Sequence, residues 1–380
     1  MEDPGDSTGA PGDGAAAASG LVGTGDLQLA QYPGAPFIAS NGDLYFTTVL
    51  EGLLRYDGER FTSYTMADGL PSDMLRDLLE VDDELWVATT GGVAVFDGEA
   101  FRTLTEYAPV DVTYSMTEWG DHRDIWDLHV DRAGRTWATT MSGVFRLVEG
   151  RWERLELPVV AEPGAYEFTR RMVYGVYEDA AGDLWFQTDG AGVVRFAADL
   201  SASTVYTVAT HGLVDDRVCD VLQDASGAYW FGTSGGGVSR WSGVEGEPFT
   251  AHLQLAERSM HVGLGRVMSI AEDAEGDVWF GMAQQGGGAW RWSAEGAAKA
   301  GGSEGSAMPA AGAGDALERF VPASYADVAG GAFTYFGAEH GLGGAVPSID
   351  VDREGRLWFG TTEGVYYKEG ERFVHLGKGE

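Results

Sequence analysis

One short pattern returns seven times along this chain. An alternating apolar stretch meets a turn of the type D-x-x-G, then an aromatic residue followed by small ones, then glycine and a second alternating stretch. The copies read SNGDLYFTT (40–48), DDELWVATT (82–90), DRAGRTWATT (131–140), EDAAGDLWFQT (178–188), QDASGAYWFGT (223–233), EDAEGDVWFGM (272–282) and DREGRLWFGT (352–361). Their anchor aromatics, Tyr45, Trp86, Trp137, Trp185, Trp230, Trp279 and Trp358, follow one another at intervals of 41, 51, 48, 45, 49 and 79 residues. A unit of that size cannot bury its apolar face alone, so the copies must stack on one another.

Each unit holds four strand-like pieces. In the second they are LRDLLE (75–80), ELWVAT (84–89), GVAVFD (92–97) and FRTLT (101–105), short and rich in β-branched and aromatic residues, with Gly or Asp turns between them. Six hairpins carry Gly three residues before the aromatic (Gly42, Gly134, Gly182, Gly227, Gly276, Gly355), where a tight turn asks for positive φ; the Trp86 copy is one residue shorter. Four strands per unit predict an all-β, seven-bladed β-propeller of four-stranded antiparallel blades, with the anchor aromatics wedged between sheets. The propeller is expected over 27–380, behind a disordered Gly/Ala/Asp-rich tether at 1–26. The long last interval reflects a flexible insertion, 294–332, between the third and fourth strands of the sixth blade. Other enlarged connections, 106–122, 156–170 and 253–265, join successive blades. For closure two arrangements stay open. Either the first blade begins at its innermost strand near 35–39 and the last ends with ERFVHL (371–376), or LQLAQY (27–32) lends the last blade an outer strand.

Composition narrows the partners. The 380 residues carry 59 Asp and Glu against 25 Lys and Arg, a formal charge of −34, and a field of that sign disfavours the phosphate backbone of nucleic acid. Cys219 is the sole cysteine, which rules out an intrachain disulfide or a cysteine-based zinc cage. No apolar run is long enough for a membrane helix and no signal peptide is visible, so the chain reads as soluble.

Three junctions between blades carry a further signature: FTSYTMADGLPSDMLRDLLE (61–80), YTVATHGLVDDRVCDVLQD (206–224) and FTYFGAEHGLGGAVPSIDVD (333–352). An aromatic outer strand, an acidic or His residue before Gly-Leu, a short polar turn and an apolar inner strand recur in that order. Together with G-x-L-W-x-G-T and G-V-x-R-Y/F-D, they closely resemble the two-component regulator propeller repeat, over about residues 33–377. The resemblance implies the extracytoplasmic sensor part of a hybrid histidine kinase or related regulator, hence a periplasmic or extracellular ligand-sensing or interaction domain with a regulator or histidine kinase as partner.

Chemistry is expected on the face bearing the interblade junctions, where loops converge on a rigid scaffold. The second-to-third-strand loops TTGG (89–92), TDGAG (188–192), TSGGG (233–237) and AQQGGG (283–288) belong to that face and would leave backbone amides open near the axis. Around the start of the innermost strands stand Arg76, Arg123, Arg171, Arg217 and Arg266, with Trp126 and Tyr174 nearby. Arginine forks suit carboxylates or polar sugars, and the aromatic rings supply a stacking face, so these seven are the candidate binding residues for an anionic or saccharide ligand. The competing reading has the arginines pairing with Asp77, Asp124, Asp127 and Asp220 to stitch blades together. The seven histidines show no metal-ligand spacing, and His211 and His340 stand where Asp68 stands in the first junction, as turn residues. Cys219 aligns with Arg76, Trp126 and Tyr174 and reads as a buried thiol. Each D-x-x-G hairpin has too few carboxylates for calcium and reads as a side-chain-capped turn. No catalytic residue, metal or cofactor is therefore assigned, and a binding protein rather than an enzyme is expected. The rival functions are a metal-assisted lyase or lactonase, and a passive interaction scaffold.

Overall fold

The computed structural model describes residues 21–22, 34, 36–49, 51–104, 123–158, 172–252, 266–283, 287–299 and 332–376. Seven antiparallel sheets follow one another along the chain, six of them in simple sequence order from an innermost to an outermost strand. The innermost strands are Phe37–Ile38, Leu75–Val81, Ile125–Val130, Val173–Glu178, Val218–Gln223, Val267–Glu272 and Ser348–Val351. Blade 2 shows the plan: Leu75–Val81, Glu84–Thr89, Gly92–Phe96 and Phe101–Leu104.

Second strands are covered on both faces by neighbouring blades. Leu184–Thr188, Tyr229–Thr233, Val278–Met282 and Leu357–Thr361 are buried at every position, which is why they read as continuous apolar runs. The core is divided into seven clusters, one at each blade-to-blade interface. An open stack of seven sheets would have six such interfaces, so the seventh closes the ring. It joins Phe46, Leu54 and Phe61 of blade 1 to Trp358 and Val365 of blade 7.

Among the described residues, blades 7 and 1 meet by side-chain packing. Phe37–Ile38 is the innermost strand of blade 1, and the outermost described strand of blade 7 is Arg372–His375. The alternative staple, 27–32, lies outside the described residues. Within the expected tether, Leu21–Val22 pairs with Thr62 and Phe61 as a fifth, outermost strand of blade 1. The insertion of blade 6 falls where expected, between Ala289–Trp292 and Phe333–Phe336, whose register runs from Ala289↔Phe336 to Trp292↔Phe333. It opens with a short helix, Ala294–Lys299, and its residues 300–331 lie outside the described set.

Local chemistry explains the hairpins. In five of them an aspartate six residues before the tryptophan accepts the indole Nε1–H: Asp131–Trp137, Asp179–Trp185, Asp224–Trp230, Asp273–Trp279 and Asp352–Trp358, at 2.7–2.9 Å. Its other oxygen accepts the amide four residues on, closing the turn. The short Trp86 copy turns instead through Asp82 and Asp83, both at positive φ (51° and 66°), and its indole N–H has no partner among the described residues. In the junctions, Met66–Asp68, Val208–His211 and Ala338–His340 form single helical turns that end at left-handed Gly69, Gly212 and Gly341. Asp68 and His340 accept the amides of Thr65 and Gly337 at 2.9 and 3.2 Å, which makes them turn residues, while Thr210 takes that part beside His211.

Candidate functional site

In blades 2 to 6 the innermost strand slips register immediately after its first residue, at Leu75/Asp77, Ile125/Asp127, Val173/Gly175, Val218/Asp220 and Val267/Ser269. The residue skipped in each case is Arg76, Trp126, Tyr174, Cys219 or Met268. A bulge re-aims its side chain out of the alternating pattern, and here five bulges in successive blades build one row around the mouth of the ring.

Its first three members touch in succession. The guanidinium carbon of Arg76 sits 4.1 Å from the Trp126 ring centroid, and its Nε is 3.4 Å from Asp124 Oδ1. Such stacking contributes about 0.5–2 kcal/mol. Trp126 meets Tyr174 edge-on at 5.3 Å. Burial first, then the nearby Cys219 and Asp189, holds the Tyr174 hydroxyl well above the usual range. Asp189 is likewise raised by burial, opposed by Tyr174, Arg217 and Arg266. Burial pushes the Cys219 thiol up to about 12 despite Arg266, so it is an inert buried thiol, as read from the sequence. Arg266 closes the row by donating from Nε to the Met268 sulfur at 2.9 Å.

Of the seven candidate residues, Arg76, Trp126 and Tyr174 lie in the row. Arg217 and Arg266 lie just before it in the chain, and Arg123 is an exposed residue ahead of Trp126. Arg171 lies outside the described residues. The expected positive spot is corrected by the partners. Arg217 forks onto Asp215 at 3.1 and 2.7 Å, and Arg76 leans on Asp124, so both charges are matched locally. Asp77, Asp127 and Asp220 pair with something else. Their Oδ2 atoms accept the amides of Leu128, Val176 and Ile270 in the following blade, at 2.9, 2.9 and 2.6 Å. Each carboxylate thereby satisfies an inner-edge N–H that no strand pairs.

The expected open amides of the Gly-rich loops are corrected too. Thr89, Thr188 and Thr233 take the amides of Gly91, Ala191 and Gly236 at 2.9–3.0 Å, and the N–H groups of Gly190 and Gly192 donate to the Asp216 carbonyl. Most of the 283–288 loop lies outside the described residues. Sequence reasoning missed Met268 in the row, Asp189 beside it, and the distinct level of carboxylates one residue past the bulges. The signal for the last was present as Arg76-Asp77, Trp126-Asp127 and Cys219-Asp220 at aligned positions. Among the described residues, no group of three or more His, Cys, Asp or Glu side chains is placed to hold a metal ion. No helix among them is long and apolar enough to cross a membrane.

No protein-family model and no curated protein sequence matches the chain. Solved structures do. A catalytically inactive virginiamycin B lyase from Staphylococcus aureus, solved with quinupristin, is similar at 13 % identity and a TM-score of 0.58, over 91 % of this chain and 97 % of that one. PorZ of Porphyromonas gingivalis, a surface component of the type-IX secretion system, is similar at 17 % identity and 0.54, over 86 % of this chain and 45 % of its own. An extracellular domain from B. thetaiotaomicron, BT3049, described as part of a hybrid two component system, reaches 14 % identity and covers 91 % of this chain and 52 % of its own, but its TM-score of 0.38 is too low to argue from. The lyase likeness corrects the expectation of a non-enzymatic chain: this architecture is shared with an enzyme, so the lack of a recognisable catalytic motif does not exclude catalysis. At such identities the likenesses speak to architecture. The chain is a seven-bladed β-propeller whose repeats resemble those of two-component regulators.

Proposed function

We propose that the chain is a ligand-sensing propeller of a two-component-type signalling system, acting outside the cytoplasm and binding a small hydroxyl-rich molecule, a saccharide, at the mouth lined by the bulge row. The observation that carries this reading is the row itself. Arg76, Trp126 and Tyr174 come from three different blades, touch in succession, and are flanked by the carboxylates of Asp124 and Asp189. A ring face beside a planar donor fork and carboxylate acceptors suits a ligand that presents an apolar face and several hydroxyls. Local pairing of Arg76 and Arg217 with carboxylates makes the neutral saccharide the better fit than an anion. Binding energy would pass to an attached or associated regulator through blades that share these residues.

The test is calorimetric titration of the chain with a panel of neutral oligosaccharides and the matching sugar acids, with products assayed in the same mixtures. A neutral sugar is expected to bind, and Trp126→Ala to weaken it at least about tenfold, the worth of roughly 1.4 kcal/mol, with Trp126→Phe intermediate. Unchanged affinity in Trp126→Ala would remove the mouth as the site. Product formation would move the reading to catalysis.

A further inference from the structure

Blade 4 breaks a pattern that its neighbours keep. One residue past the bulge, the side chains of Asp77, Asp127, Asp220 and Ser269 accept the inner-edge amides of Leu128, Val176, Ile270 and Ile349 in the following blade, at 2.6–3.0 Å. The counterpart in blade 4 is Gly175, which has no side chain to offer, and the Val221 amide of blade 5 turns to Asp220 Oδ1 of its own strand at 2.8 Å.

What stands at that place comes from the second strand instead. Gln187 is the register partner of Gly175, and its position carries Thr, Ala or Gly in the other six blades. A Cβ at Gly175 would lie 2.4 Å from Gln187 Oε1 and 3.5 Å from Asp127 Oδ2, so a carboxamide and a carboxylate converge on one point that the glycine leaves open. Gln187 is 3 % exposed, yet its carboxamide makes no hydrogen bond to any described residue. Its two polar atoms are not among the fully enclosed unpaired ones, so the little exposure that remains is theirs. A side chain that only filled this space would serve better as Leu or Met, because an unpaired amide leaves its desolvation uncompensated.

The point lies next to the mouth. Trp126 and Tyr174, the edge-on pair of the bulge row, are followed in their strands by Asp127 and Gly175, a step of about 3.3 Å. Two oxygen acceptors facing one point call for a group rich in donors, and their surroundings call for a positive one. Burial first, then Asp77, hold Asp127 above the ordinary carboxylate range against the amide of Val176, with Asp220 adding repulsion. The guanidinium of Arg76 is engaged by Asp124 and Trp126 instead. A primary ammonium brings three donors, no acceptor and a positive charge, where a hydroxyl brings one donor and no charge.

We propose, resting on the saccharide reading of the mouth, that this point is a subsite for the ammonium group of an amino sugar, held by Gln187 and Asp127 while the sugar ring lies against Trp126 and Tyr174.

The experiment is calorimetric titration of the full chain at pH 6, below the ordinary amine range, with three trisaccharides of one linkage: β-1,4-linked glucosamine, its N-acetylated form and glucose. The glucosamine trimer is expected to bind at least about tenfold tighter than the other two. Gln187→Leu keeps the volume and removes the carboxamide. It should bring the three affinities within about twofold of one another, with glucose binding as before and the melting temperature held or raised. Gly175→Ala places its Cβ at the point itself and should abolish the preference in the same way, which keeps the test open if Gln187→Leu fails to fold. Equal binding of the three sugars by the unaltered chain, or a preference for the amine that survives either variant, would overturn the subsite and leave the saccharide reading standing; the second would mean that the chain's overall negative charge attracts the amine. Loss of glucose binding in Gln187→Leu would overturn it too, because the carboxamide would then be shaping the mouth. If none of the three binds the unaltered chain, the saccharide reading itself fails and the subsite with it.

Discussion

Asp179 serves four donors in two blades. Its oxygens accept the amides of Ala181 and Asp183, the indole of Trp185 and, from the next blade, the hydroxyl of Tyr229, all at 2.8–3.0 Å. Asp273 occupies the same turn position but serves three, the amides of Glu275 and Asp277 and the indole of Trp279. Removing a buried acceptor costs the desolvation of every donor left behind, about 1–3 kcal/mol for the worst placed. Asp179→Ala is therefore expected to destabilise by about 3–5 kcal/mol and Asp273→Ala by roughly 1 kcal/mol less. Urea unfolding of the two variants checks this, and equal losses would show that the bond to Tyr229 adds nothing between blades.

Within a blade, the tight link between second and third strands depends on a threonine and a glycine acting together. Thr188 donates from Oγ1 to the Gly192 carbonyl at 2.7 Å and accepts the Ala191 amide at 2.9 Å. Thr48, Thr89, Thr140, Thr233 and Thr361 make the same closure to Gly52, Gly92, Gly143, Gly237 and Gly364. Gly192 is at φ 77°, and a Cβ there would lie 2.0 Å from the Tyr206 carbonyl oxygen, the backbone of the fourth strand. Gly58, in an outer turn at φ 95°, has open space around it. Gly58→Ala should cost about 1 kcal/mol, the left-handed penalty alone, and Gly192→Ala about 2–4 kcal/mol because the outer strand must also move. Denaturation midpoints at constant m-value would show the difference.

At the scale of the whole ring, blades 7 and 1 meet through side chains, Trp358 and Val365 against Phe46, Leu54 and Phe61, with no strand exchanged between the two sheets among the described residues. The seam is then of the same kind as the other six, and the point at which the chain begins and ends is a matter of connection. A circular permutant that joins residue 376 to residue 36 by a short Gly/Ser linker and opens between blades 3 and 4 should fold and melt in one cooperative transition. One opened at the Gly182 turn, between hydrogen-bonded strands of blade 4, should melt markedly lower. Calorimetry distinguishes them, and failure of the first alone would show that blade 1 needs its own N-terminal continuity, including the strand Leu21–Val22.

By itself the sequence determined the repeat, the blade count and most strands. Its four pieces of blade 2 differ from the observed ones by a residue at three ends. Those features are local: a two-residue alternation, a glycine at positive φ and an aspartate that caps its own turn act within about ten residues. The row of Arg76, Trp126, Tyr174 and Cys219 was also legible, because equivalent blades align. Only the tertiary structure decided which carboxylate faces what. Asp124 meets Arg76, while Asp77 and Asp220 turn to amides 51 and 50 residues away, in the next blade. The reason is geometric. A bulge shifts register by one residue, a one-residue shift sends a side chain to the opposite face, and the face it then meets belongs to a sheet whose angle is set only when seven blades have closed on one another.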